Sequence, residues 1–374
     1  MSNLPLLSGP MNPTPAARAH LLDLDPPALD AWLAARELPR YRASQIFDWV
    51  YAKSIPDFAA MTNLPKDLRA CLAAEFDLWR GRVTTGSASS DGTQKLLITW
   101  PDGQAVETVW IPDGERHTVC VSSQVGCPVG CRFCASGLRG VERNLAAGEI
   151  VEQALRVRAL VTARPAADGR PARLSNVVLM GMGEPLANYE HVVRAIRTLN
   201  APWGLGIGAR KITLSTVGLP KQIRRLADEG LQLNLALSLH APTQELRHEL
   251  IPWGRVPIPE LLDACDYYFQ KTGREVTLEY VLLAGVNMRS SHAVQLAAIA
   301  RRLRCNVNLL RYNPVPGLPY ERPTAEAAFA FQEELRRGGV NAHVRTSRGR
   351  DIDAACGQLR RRVESAGGAG PDAG

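Results

Sequence analysis

The 374-residue chain has no run of the roughly eighteen apolar residues that a membrane-spanning helix requires. Its first residues, MSNLPLLSGPMNPTPAARAH, lack a charged stretch followed by an apolar one, so no secretory leader is expected. Eight cysteines in a chain of this length are too few for the disulfide framework of a small secreted scaffold. No internal repeat is present, which excludes solenoids and propellers. Lysine is scarce, with six against thirty-eight arginines. These absences point to a soluble cytoplasmic protein whose reducing surroundings keep its cysteines as thiols.

What is present fits a globular chain with one large domain and a smaller one: 45% of residues are hydrophobic and 22% charged. The formal charge of +7 and the pI of about 9.1 permit contact with a polyanion such as RNA. Arginine suits phosphate and base-face contacts, although the bias equally fits a GC-rich genome. The most basic stretch is RTSRGRDIDAACGQLRRR, residues 345–362, with Cys356 at its centre. A solvated charged face is the plain reading of such a stretch.

Cys127, Cys131 and Cys134 lie in CVSSQVGCPVGCRFCASG, with C-x3-C-x2-C spacing. Three thiolates on one short loop can hold one face of an iron–sulfur cube and leave one iron open to a substrate, whereas four protein ligands usually seal a cluster. Structural zinc is the alternative, but zinc sites answer one C-x2-C with a second pair. Here only His117 and Cys120 lie near, upstream on a strand, and no second pair follows. Pro128 stiffens the turn between the first two cysteines without removing a ligand.

Residues 1–18 lack periodicity and hold four prolines, which reads as a disordered lead. Residues 19–90 are read as a small helical domain, 91–112 as a β-hairpin extension around Pro101-Asp102-Gly103, 113–360 as the core, and 361–374 as a flexible tail. From His117 onward strands and helices alternate, which predicts an α/β fold with a parallel sheet and outer helices, either open or a full or partial TIM-like barrel. In such folds the site forms at the C-terminal ends of the strands. The Cys loop, Gly181–Pro185, Ser215-Thr216, Ser238-Leu239-His240 and Asn313 all fall there. Taken singly each has an ordinary reading: a turn, a strand serine, a structural histidine.

The segments SSQVGCPVGCRFCASG, VVLMGMGEPLAN, ITLSTVGLP, LALSLHAP, YNPVPG and RGRDIDAACGQL together resemble the radical S-adenosylmethionine (SAM) enzymes, and within them the RlmN/Cfr family of RNA methyltransferases. The likeness runs from about Leu21 to Leu359 and implies a partial (β/α)6 barrel preceded by the all-α domain and the hairpin. It implies that Cys127, Cys131 and Cys134 ligate a [4Fe-4S] cluster whose open iron chelates SAM. Gly183 and Glu184 would meet the methionine end of SAM, and Ser215, Ser238, Leu239, His240 and Asn313 would line the rest of its pocket.

The resemblance further implies that Cys356 takes a methyl group from one SAM while a second SAM yields a 5′-deoxyadenosyl radical. That radical removes hydrogen from the new methyl group, and the carbon radical adds to carbon-2 of an adenosine. An electron-poor amidine carbon cannot attack SAM as a nucleophile, so a radical route answers a chemical need. Cys120 would resolve the covalent adduct by a transient disulfide with Cys356, and Glu107, otherwise an ordinary strand carboxylate, would accept the ring proton.

The implied substrates are an adenosine in the peptidyl-transferase loop of 23S rRNA and the adenosine 3′ of the anticodon in tRNAs. Implied partners are these RNAs and an external electron donor of flavodoxin type, with no membrane and a monomeric state. Such bases must be splayed out to reach a barrel mouth, and the N-terminal helical module is the candidate reader of the RNA. Cys71, Cys265 and Cys305 match no motif and are read as packing residues. Three rivals stay open: methylation at carbon-8 as in Cfr, a zinc-stabilised RNA-binding protein without catalysis, and a radical SAM enzyme acting on a protein or small molecule.

Overall fold

The computed structural model describes residues 18–359 apart from 56, 165–168, 170 and 254–255. The expected lead and tail fall outside the described residues, Arg18 excepted. The chain opens with three helices, Pro26–Ala34, Tyr41–Phe47 and Lys66–Glu75, the second running on into a π-helical turn over Asp48–Ala52. Asp25 caps the first by accepting from the Ala28 amide at 3.0 Å, with Pro26 placed where no amide is needed. Leu29, Leu33, Ile46, Leu68 and Leu72 face inward and are buried.

Beyond Glu75 the structure departs from the expected helical boundary at residue 90. Arg82–Ala88 is a strand, β1, and nearly all of it is exposed. Its sequence, RVTTGSA, carries no apolar alternation because neither face is buried; pairing to the next strand holds it in place. After it come β2 (Gln94–Thr99), β3 (Ala105–Asp113), β4 (Arg116–Cys120), β5 (Leu174–Leu179), β6 (Ile212–Thr216), β7 (Asn234–Ser238), β8 (Val276–Leu282), β9 (Asn306–Arg311) and β10 (Ala342–Arg345).

These ten strands form one sheet in the unbroken order β10 to β1. Strands β1 to β4 pair antiparallel, and β4 to β10 pair parallel. The parallel part comprises six strand–helix units and a last strand, and the two edges of the sheet do not pair, so the barrel is partial. The outer helices are Ala147–Thr162, Tyr189–Asn200, Pro220–Asp228, Ile258–Thr272, Ser290–Leu303 and Ala325–Arg337. Strands such as NLALS and VTLEYVL read as apolar runs because both faces are covered. None of the described helices is long and apolar enough to cross a membrane.

Between β4 and the first outer helix, Gln124–Gly126 pairs with Val141–Asn144, and this small hairpin closes the base of the cysteine loop. Gly126 has φ +76°, and a Cβ there would stand 2.0 Å from the Gly140 carbonyl oxygen. Neither backbone can yield without opening the hairpin. Gly126→Ala is therefore expected to destabilise the protein by about 2–4 kcal/mol, strain and overlap together, read from denaturant unfolding.

Candidate functional site: a cysteine-lined cleft at the barrel mouth

The strand ends and their loops enclose a cleft whose walls include Cys127, Cys131, Cys134, Gly183, Glu184, Ser215, Ser238, His240, Asn313 and Cys356. The cysteine loop packs on a small apolar cluster containing Val129, Phe133, Ala241, Leu250 and Tyr312. Burial pushes the Cys127 thiol up to about 12, and burial likewise raises Cys131 and Cys134. Next to burial, the charges of Cys134 and Cys127 raise Cys131 further, and Arg247 opposes them. Buried thiolates that repel each other in this way need a cationic partner.

Glu184 ends the β5 loop with its carboxylate wholly enclosed. It accepts from the Leu186 amide at 3.0 Å and the Val217 amide at 2.9 Å, while its own amide donates to Gln124 Oε1 at 2.8 Å. Gly183, at φ +107°, lets the backbone pass so close that a Cβ would meet Ser123 Oγ at 2.7 Å. Ser215 and Ser238, at the ends of adjacent strands, have hydroxyls 3.2 Å apart. His240 has φ +59°; its Nδ1 accepts from the Val281 amide at 3.0 Å, and its carbonyl accepts from Asn287 Nδ2 at 2.9 Å. Burial, then Arg247, holds its imidazole down near 3, so it is neutral. Leu239 differs from the others: its side chain is fully buried in the main core and does not line the cleft, so only its backbone can face a ligand.

The loop after β10 carries Cys356 to the cleft's rim, where the residue is exposed. The loop is tied down on both sides. On one side Asp351 accepts from Ser89 Oγ at 2.5 Å and the Ser90 amide at 3.0 Å, and the Gly349 amide donates to Asp91 Oδ2 at 2.9 Å. On the other the Ala135 amide donates to the Gly357 carbonyl at 2.8 Å, Ser136 Oγ to the Leu359 carbonyl at 2.7 Å, and Asn313 Nδ2 to the Cys356 carbonyl at 3.2 Å. The turn between β1 and β2 is thus one bank of the site.

Cys120, at the end of β4, is a buried free thiol. Burial first, then the nearby Cys356, raise it far above its ordinary range. In register, Cys120 lies opposite Val109 and Val109 opposite Lys95, while Glu107 lies opposite Leu97. Opposed residues share a face, so Lys95, Glu107 and Cys120 all stand on one side of the sheet. Glu107 is buried, and its carboxylate pairs with Lys95 Nζ at 2.8 Å.

The cleft also holds Glu279 of β8, buried and bonded through Oε1 to Asn308 Nδ2 at 2.9 Å. Desolvation raises its carboxyl, and its charge lies within electrostatic reach of Cys356. An acid inside the apolar strand VTLEYVL was the signal that sequence reasoning passed over. Arg247, in the turn of helix Gln244–Leu250, gave no such signal; it is buried, donates to the Val217 carbonyl and lies within electrostatic reach of Cys131.

Residues 19–78 match the family described as the ribosomal RNA large subunit methyltransferase N-terminal domain, and residues 121–297 match the radical SAM superfamily. A probable dual-specificity RNA methyltransferase RlmN from Geobacillus kaustophilus is 45% identical over 357 residues, covering 92% of this chain and 96% of the relative. The protein of the same description from Gloeobacter violaceus is 49% identical, covering 89% and 93%. The chain belongs to the RlmN family of radical SAM proteins. The crystal structure of a radical SAM methyltransferase from Sphaerobacter thermophilus superposes with a TM-score of 0.87 at 48% identity, over 91% of this chain and 99% of that one.

The radical SAM family implies a [4Fe-4S] cluster and SAM, and the donor set of this RlmN-family cleft fits both. Three cysteine sulfurs on one loop meet the cluster's need for three ligands and one open iron, and the remaining thiol of the cleft, Cys356, comes from a separate loop. The neighbouring wall of Gly183, Ser215 and Ser238 offers close backbone approach and hydroxyls to a small polar ligand.

Proposed function

We propose that this RlmN-family protein is a SAM-dependent RNA methyltransferase that places a methyl group on carbon-2 of adenosine, in the peptidyl-transferase loop of 23S rRNA and 3′ of the anticodon in tRNA. The observation that carries the reading is that the loop after β10 brings Cys356 into one cleft with the cysteine triplet, with Cys120 at the end of β4 within electrostatic reach of it. A radical SAM enzyme that acts on a protein or a small molecule shares the triplet but predicts no methyl on Cys356. Carbon-2 is preferred to carbon-8 because the N-terminal domain and the motif match point to RlmN.

In this reading Cys127, Cys131 and Cys134 hold the cluster, and Arg247 offsets their charge. When bound, the cluster would supply the single electron that reductive cleavage of SAM requires. Gly183, Glu184, Ser215, Ser238, His240, Asn313 and the Leu239 backbone hold SAM. Cys356, exposed at the rim, carries the methyl group and the bond to the base. Glu107 accepts the ring proton, and Cys120 forms the disulfide that frees the product. The helical domain is the proposed RNA reader, a role that rests on its match over residues 19–78.

The test is peptide mass spectrometry over Ala354 to Leu359 after expression with SAM available: one added methyl on Cys356 is expected, and an unmodified thiol in active protein contradicts the reading. The anchors of the loop give a second expectation. Asp351→Ala removes the bonds from Ser89 and Ser90, and is expected to slow RNA methylation about ten-fold through misplacement of Cys356. Iron content should be unchanged, as measured on the same preparation.

A further inference from the structure

Lys95 is the only one of the six lysines that is not exposed. Its Nζ pairs with Glu107 Oε1 at 2.8 Å and donates to the Asp353 carbonyl at 3.2 Å, with side-chain exposures of 13% for Lys95 and 5% for Glu107. Enclosing an ammonium is costly, and in a chain that otherwise favours arginine its retention calls for a reason. A lysine provides a compact charge with several donors, which fits between two strands and can bond in two directions, whereas a guanidinium fork is planar and wide. The two acceptors come from distant parts of the chain. One is on β3, and the other is three residues before Cys356, in a loop whose Asp353 takes φ +52°.

We propose that Lys95 is a positioning residue for proton removal: its ammonium aims the Glu107 carboxylate at the base bonded to Cys356. The inference rests on the reading of Glu107 as the proton acceptor. In the step itself the proton passes from the ring carbon to a Glu107 oxygen, and the C–H electron pair stays in the ring. The ammonium then faces a neutral acid, which favours returning the proton to solvent. Through Asp353 the same ammonium fixes the distance between the acceptor and the sulfur that carries the base. The expectation is thus specific to one step, since Lys95 touches neither the cysteine triplet nor the wall proposed for SAM.

The experiment uses the full-length holoenzyme with a 23S rRNA fragment and follows three quantities: methyl on Cys356, the covalent enzyme–RNA species on a denaturing gel, and the pH dependence of its decay. Lys95→Met is expected to methylate Cys356 to within about two-fold of wild type, yet resolve the RNA adduct some ten- to a hundred-fold more slowly. The acid limb of the decay should move to higher pH, because a buried carboxylate without its cation holds a proton more tightly. Lys95→Arg keeps the charge without the compact fit, so it should hold the wild-type pH profile while recovering only part of the rate. If Lys95→Met fails to methylate its own Cys356, Lys95→Gln takes its place with the same expectation. Adduct decay at the wild-type rate and pH profile in the charge-free variants overturns the proposal. Glu107→Gln separates the two levels: a stalled adduct there with normal decay in Lys95→Met sinks the Lys95 role alone, whereas normal decay in Glu107→Gln sinks the acceptor reading and with it this inference.

Discussion

Cys356→Ala is expected to abolish RNA methylation, at least about a thousand-fold below wild type, while the protein folds and keeps its iron. The fold survives because the side chain stands exposed on a loop held by its backbone and its neighbours: the Gly349 amide, the Asp351 carboxylate, and the Gly357 and Leu359 carbonyls. The chemistry does not survive, since no other described thiol has the same place. Cys120 is buried at the end of β4, and Cys71, Cys265 and Cys305 lie outside the cleft. Cys120→Ala gives the complementary result: the methyl still reaches Cys356 and the base still bonds to it, but the adduct persists as protein linked to RNA. Denaturing gels and nucleoside analysis read both outcomes. Equal turnover in the two variants and wild type would remove the thiol pair from the mechanism.

The second large effect concerns the triplet. Cys131→Ala is expected to bring iron and sulfide to near zero and methylation to background. Cys134, Cys127 and Arg247 all act on Cys131, and two thiolates do not hold a cube. The loop around it should remain: the Arg132 amide donates to the Leu250 carbonyl at 3.0 Å and the Cys127 amide to the Gly140 carbonyl at 2.9 Å, whatever side chain stands at 131. Anaerobic purification with iron and sulfide analysis checks this. A Cys131→Ala protein that keeps four irons and its activity contradicts the ligand assignment.

Most of the barrel was legible in the chain because its strands are buried on both faces and its helices carry apolar stripes. The alternation of strands and helices expected from His117 onward is found, ending with helix Ala325–Arg337 and strand Ala342–Arg345. What escaped was held by other forces. Strand β1 has no buried face to print on its sequence, and the turn of Ser89 and Asp91 grips the Cys356 loop through polar contacts between residues some 260 positions apart. Such pairings leave no periodicity. Leu239 is a different case: the motif SLH lies at the site, but the alternation of the strand end turns its leucine side chain into the core and leaves only its backbone to face a ligand. Glu279 could have been flagged as a lone acid in an apolar strand, while Arg247 and Lys95 carry no local signal, since their roles depend on partners that only the fold supplies.

The most direct test of the account is the position of the methyl group. RNA incubated with the reduced holoenzyme and SAM, digested to nucleosides and separated against synthetic standards, should yield 2-methyladenosine. Recovery of 8-methyladenosine alone would contradict the carbon-2 assignment.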